Sequence, residues 1–194
     1  LDEVNYRNSE LQNRANQARR IQIQKGISLD SHTHNINAGP EAVINLPLSP
    51  EAASLMRPGW SYSVGIHPWD TATATEADFA TLSALAQHPQ IVAIGECGLD
   101  ALKGAPLDVQ EQIFLRHVQL SEELQKPLII HAVRTHGRLI QLRNALHPTQ
   151  RWMIHGFRGK PQQAEQLIRA GFDISLGKTY NPAVLDVLPP DRLP

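Results

Sequence analysis

The chain has a single cysteine, Cys97, in 194 residues, so no disulfide forms within it, and the composition fits a reducing cytoplasm. No apolar run approaches the ~20 residues of a membrane span, and the opening stretch "LDEVNYRNSE" lacks the basic and apolar regions of a signal peptide, so no membrane role is expected. Charge of one sign is not in excess either. The formal net charge is −1, which leaves no global basic field to draw in nucleic acid; a phosphate-bearing substrate would need a local cluster of Lys and Arg. With 41% hydrophobic and 19% charged residues, the composition suits one globular domain, or a small domain with an appendage.

Residues 1–25 differ from everything that follows. They are rich in Gln, Asn and Arg, with Leu11, Ala15, Ala18 and Ile21 at helical spacing. They read as a polar helical extension, a candidate contact for self-association or for a partner. Residues 26–194 form the second unit. Short β-rich runs occur at 26–30, 42–46, 61–66, 91–95, 127–131, 151–155 and 172–177. Helical patterns lie between several of them, at 75–87, 107–126, 136–146 and 161–170. Thr75 is a candidate cap, Pro161 opens the last helix and Gly171 closes it. This alternation argues for a parallel α/β fold. The segment "DSHTHNINAGP" offers no glycine-rich phosphate turn after the first strand, which disfavours a doubly wound sheet. A barrel gathers polar residues at the C-terminal ends of many strands, and that pattern is present. Only about ten residues separate the first two runs, short for a crossover with its own helix; either that helix is missing or residues 1–25 pack in its place.

The strand ends carry metal-type side chains. His32 and His34 follow the first run, His67 the third, Glu96 the fourth, His131 the fifth and His155 the sixth. Two residues apart on an extended backbone, His32 and His34 face the same way. By the same alternation Glu96 points into the barrel and Cys97 outward, as a packed thiol. A carboxylate with two oxygens can bridge two cations. Four His and one carboxylate suit Zn, Mn or Fe, while Mg alone normally prefers more oxygen ligands. Asp100 either orients a ligand or caps the following turn. Lys103, Arg134, Arg158, Lys160 and Lys178 all follow strand ends and would ring the mouth. His88, His117, His136 and His147 lie in or beside helical patterns and read as surface residues.

The segments "DSHTH" (30–34), "SVGIHPW" (63–69), "AIGECGLD" (93–100), "PLIIH" (127–131), "IHGFRG" (154–159) and "GFDISLG" (171–177) resemble, in order, the TatD family of metal-dependent hydrolases. The resemblance implies a distorted TIM barrel and a two-metal centre holding two divalent ions (Zn, Mn or Mg). Its ligands would be His32, His34, Glu96, His131 and His155. Glu96 and His67 would be catalytic, and His67, Arg134, Arg158 and Lys160 would hold the substrate phosphate. The implied activity is hydrolysis of phosphodiester bonds, as a cytoplasmic deoxyribonuclease on DNA ends. The family's last strand carries an E-T-D segment whose Asp binds metal. Here "VLPPDRLP" ends about where that strand should start, and Asp191 is not that Asp. About seven strands are therefore expected, with the eighth missing and activity weak. Two other readings compete. One is a superfamily hydrolase of an amide, ester or lactone, disfavoured because Glu96 stands where such enzymes usually carry a modified Lys. The other is an inactive metal-binding or partner-binding subunit.

Overall fold

The computed structural model describes residues 32–177 and 179–189. The polar extension 1–25, the run at 26–30, Lys178 and Asp191 lie outside the described residues.

Among the described residues seven strands pair strictly in chain order, and every pairing is parallel. They are β1 (His32–Thr33), β2 (Val43–Asn45), β3 (Ser61–Val64), β4 (Ile91–Asp100), β5 (Leu128–Val133), β6 (Trp152–Phe157) and β7 (Asp173–Leu176). Four α-helices fill the later connections: α1 (Glu76–Ala86), α2 (Leu107–Leu124), α3 (His136–Leu146) and α4 (Pro161–Arg169). The β1–β2 link holds no helix, as its length requires. A short 3-10 turn, Pro50–Leu55, takes that place between β2 and β3.

Local chemistry sets these boundaries. Thr75 and Asp78 form a reciprocal capping box at the start of α1, which satisfies two of the amide groups a helix leaves unpaired. Pro161 opens α4. Gly171, at φ +88°, closes it in the left-handed region while its amide donates to Ile168 O at 2.9 Å. The core lies between sheet and helices, where Trp152 meets Phe114 and Phe172 edge-on at 5.3 and 5.7 Å.

β4 differs from its sequence run in length, continuing past Gly95 to Asp100. Its register against β5 shifts between Ile94 and Cys97. Two glycines at φ +133° make this path possible: a Cβ on Gly95 would lie 2.3 Å from Ile129 O, and one on Gly98 would lie 2.2 Å from His131 O. The irregularity delivers Glu96, Leu99 and Asp100 to their places. Cys97 is fully buried in the hydrophobic core, and burial pushes its thiol well above the ordinary range.

The expected surface role of His117 is corrected. It is fully buried: its Nδ1 lies 2.8 Å from Ile113 O, and its Nε2 accepts the Ile66 amide at 2.9 Å. The ring is therefore neutral, and burial lowers its pKa to about 4. His136 is partly buried and lines the cleft described below. His88 and His147 are exposed, as expected.

Candidate metal centre

A cleft of about 1130 Å³ opens at the C-terminal ends of the strands. Glu96 sits at its floor, 3% exposed. The carboxylate is held from several sides: Oε2 lies 2.9 Å from His34 Nε2, and Oε1 lies 3.1 Å from His131 Nδ1. The Glu96 amide donates to Asn45 Oδ1 at 2.8 Å, which fixes the backbone under the side chain. Burial by itself would favour the neutral acid. The hydrogen bonds from His131 and His34 and the nearby rings of His155 and His32 outweigh it, holding the carboxyl far below its usual range.

Two donor sets share this carboxylate. Ligand-type atoms of His32, Glu96 and His155 lie within 4.8 Å of one another, and so do those of His67, Glu96 and His131. The rings are in contact, His32 with His155 at 4.6 Å and His67 with His131 at 4.6 Å between centroids. A floor of imidazole nitrogens around one shared carboxylate is a donor set of borderline softness, and it fits one or two divalent transition ions.

Outer partners assign the ring protons. Ser63 Oγ donates to Asn45 Oδ1 at 3.3 Å, so it accepts from His32 Nε2 at 3.1 Å and leaves Nδ1 as the basic nitrogen. His155 Nδ1 meets Ser175 Oγ at 3.3 Å. His131 Nε2 reaches Asp100 Oδ2 at 2.9 Å, which turns Nδ1 towards Glu96. Burial disfavours a charged His131, but its bonds to Glu96 and Asp100 dominate and raise its pKa. His67 differs. Its Nδ1 accepts the Trp69 amide at 3.2 Å, so the neutral ring carries its proton on Nε2, 3.9 Å from Glu96 Oε2. Burial lowers its pKa despite the Glu96 charge. That protonation suits His67 to donate to an anion, and it leaves Glu96, His131 and His34, which contacts Glu96 Oε2, as the candidate ligands of the second set.

Asp100 contacts both a cleft histidine and the turn that follows it. Oδ2 accepts from Trp69 Nε1 at 2.7 Å as well as from His131; Oδ1 accepts the Leu102 and Lys103 amides at 2.8 and 3.2 Å. Arg134 and Arg158 line the cleft. Lys160 is exposed at the start of α4, next to the cleft lining rather than in it, and Lys103 packs over the Trp69 ring. Sequence patterns do not single out Asn45, Ser63 and Ser175. Their only signal is a polar residue within an apolar strand run; Asn45 and Ser63 are also register partners.

Comparison with known proteins agrees with this architecture. The family described as "TatD related DNase" matches residues 3–193, which takes in most of the stretch that composition sets apart at 1–25. The 3'-5' ssDNA/RNA exonuclease TatD of Musicola paradisiaca (strain Ech703) is 32% identical over 148 residues, 70% of this chain and 56% of that protein. The uncharacterized metal-dependent hydrolase YabD of Bacillus subtilis (strain 168) is 31% identical over 140 residues, 68% of this chain and 55% of that protein. The chain thus spans about half the length of these curated relatives. The crystal structure of YJJV, a TatD homologue from Escherichia coli K12, superposes with a TM-score of 0.61 at 23% identity, over 69% of this chain and 54% of that one. The fold they share is a curled parallel sheet with outer helices, a distorted TIM barrel. With the family match covering nearly its whole length, the chain belongs to the TatD family of metal-dependent hydrolases.

Proposed function

We propose that the chain is a metal-dependent nuclease that hydrolyses phosphodiester bonds in single-stranded nucleic acid, DNA in particular, and works in the cytoplasm. The observation that carries this reading is the Glu96 carboxylate shared by two donor sets at the floor of a cleft whose walls bear Arg134 and Arg158. The ligands would be His32, His34, Glu96, His131 and His155, holding two divalent ions, Zn, Mn or Mg. Bound there, the ions would supply Lewis acidity and neutralise charge on the phosphoryl group.

The protein's own contribution is placement. Glu96 is anchored through its amide to Asn45, Ser63 and Asp100 orient the rings of His32 and His131, and Ser175 contacts His155 Nδ1. The rings therefore need little reorganisation to accept ions. His67 presents Nε2–H to a phosphate oxygen and, through it, to charge that grows in the transition state. Arg134 and Arg158 match flanking phosphates with planar, forked donors.

The name of the exonuclease relative supports a single-stranded substrate. The test is cleavage of end-labelled single-stranded DNA and RNA with added Mn²⁺, Zn²⁺ or Mg²⁺, against a chelator and the Glu96→Gln variant. Metal-dependent release of nucleotides that Glu96→Gln abolishes is the expected result. No cleavage of either polymer, together with metal-dependent hydrolysis of a lactone, ester or amide, would overturn the reading.

A further inference from the structure

Trp69 is an unusual member of the cleft wall. It is 49% exposed, yet it lines the cleft and is not loosely held. Its Nε1 donates to Asp100 Oδ2 at 2.7 Å, its backbone amide donates to His67 Nδ1 at 3.2 Å, and its ring meets His67 at 4.9 Å. Leaving half of an indole in water forfeits burial energy that a core position would recover. Here the exposure coincides with the cleft wall, beside His67. Lys103 adds a second feature, with its ammonium 3.9 Å from the Trp69 ring centroid. The Leu102 and Lys103 amides are pinned to Asp100 Oδ1. One carboxylate therefore orients the indole through one oxygen and the lysine backbone through the other.

We propose that Trp69 and Lys103 form a nucleobase subsite, in which a base of the single-stranded substrate stacks on the indole and Lys103 meets the phosphate attached to that nucleotide. The inference rests on the nuclease reading and deepens it, since it says how the site grips a strand without reading its sequence. Every base has a π-face, so stacking on a fixed aromatic ring is sequence-tolerant, whereas a paired base inside a duplex offers no face to stack. Lys103 serves two states. Without substrate its charge rests on the indole quadrupole; with substrate it moves the short distance to a phosphate, and the base takes its place beside the ring. The subsite would thus select unpaired ends, while Arg134 and Arg158 supply contacts that any phosphate chain can satisfy.

The test compares a short single-stranded oligothymidylate with an abasic strand of the same length and charge, bound to the full chain without added metal so that no cleavage intervenes. Wild type is expected to bind the base-bearing strand about ten-fold tighter, the scale of one stacked base. Trp69→Leu should erase that preference, leaving equal affinity for both strands. Trp69→Phe removes the Nε1–Asp100 bond but keeps an aromatic face, so it should retain most of the preference; this separates stacking from any effect passed through Asp100 to His131. Quenching of Trp69 fluorescence by the base-bearing strand alone, lost in Trp69→Phe, is the spectroscopic counterpart. Equal binding of the two strands by wild type, or an unchanged preference in Trp69→Leu, overturns the subsite and leaves the nuclease reading intact if Arg158→Glu still weakens both strands. Failure of wild type to bind either strand overturns both.

Discussion

His131 Nε2 lies 2.9 Å from Asp100 Oδ2, while the same ring's Nδ1 lies 3.1 Å from Glu96 Oε1. One imidazole is gripped between two carboxylates, and the outer one decides which nitrogen faces the candidate metal. Asp100→Asn keeps the shape and removes the charge. The amide can present either oxygen or nitrogen to the ring, so the tautomer is no longer dictated. Divalent-ion affinity, read by chelator competition, should fall about 10- to 100-fold with the fold intact. Unchanged affinity would show that Asp100 only shapes its loop.

Gly98 couples the backbone to the site. An added Cβ would lie 2.2 Å from His131 O, on a backbone at φ +133° that side chains rarely adopt. Gly98→Ala should cost about 3 kcal/mol or more, seen as a lower midpoint in urea unfolding. It should also weaken ion binding, because β5 must shift to make room. A change within about 0.5 kcal/mol would mean that the two strands are less tightly apposed.

His117 gives the protein an acid sensitivity unrelated to catalysis. Its folded-state pKa lies near 4, against an ordinary value of 6.5, so the unfolded chain takes the proton more readily. Stability from this group is complete above pH 6.5 and is lost progressively as pH falls towards 4. The loss amounts to about 3 kcal/mol. Unfolding measured across that interval should show the slope in wild type and lack it in His117→Gln, which would start from a lower stability at neutral pH. Parallel pH profiles for the two would contradict the neutral buried ring.

His117 also shows where sequence periodicity stops being informative. Apolar spacing over 107–126 sets Ile113, Phe114, Val118 and Leu124 on one face of α2, but the buried residues are Gln110, Phe114, His117, Val118 and Ser121. Three of these are polar. Their partners are backbone groups far away in sequence or in the next turn: the Asp100 amide for Gln110, the Ile66 amide for His117 and Lys126 O for Ser121. Polarity alone assigns such residues to the surface, because the groups that satisfy them exist only once the chain has folded. The strand ends were legible for the opposite reason. Histidines and a carboxylate that recur at one end of successive apolar runs rarely do so by chance, because a parallel sheet brings those ends together at one mouth. The short first link likewise implied a connection without a helix. The extension of β4 through Asp100 was hidden by its glycines, which normally weaken a strand. They are tolerated here because β5 passes too close for any side chain.

Arg134 and Arg158 line the cleft, and reversing both charges tests the phosphate contacts. For single strands each lost contact lowers the slope of log affinity against log salt by about 0.7, so Arg134→Glu with Arg158→Glu should flatten it by about 1.4. Affinity should fall for every sequence alike. An unchanged slope would place the strand elsewhere on the surface.

The nuclease reading stands on one carboxylate, Glu96, serving two ions at once, and counting bound metal in variants decides whether it does. Native mass spectrometry of wild type loaded with Mn²⁺ or Zn²⁺ should show two ions per chain. His131→Ala and His155→Ala should each retain one, because Glu96 still serves the opposite donor set, and Glu96→Ala should retain none. Full occupancy in Glu96→Ala, or no retained metal in wild type, would contradict the shared-carboxylate site.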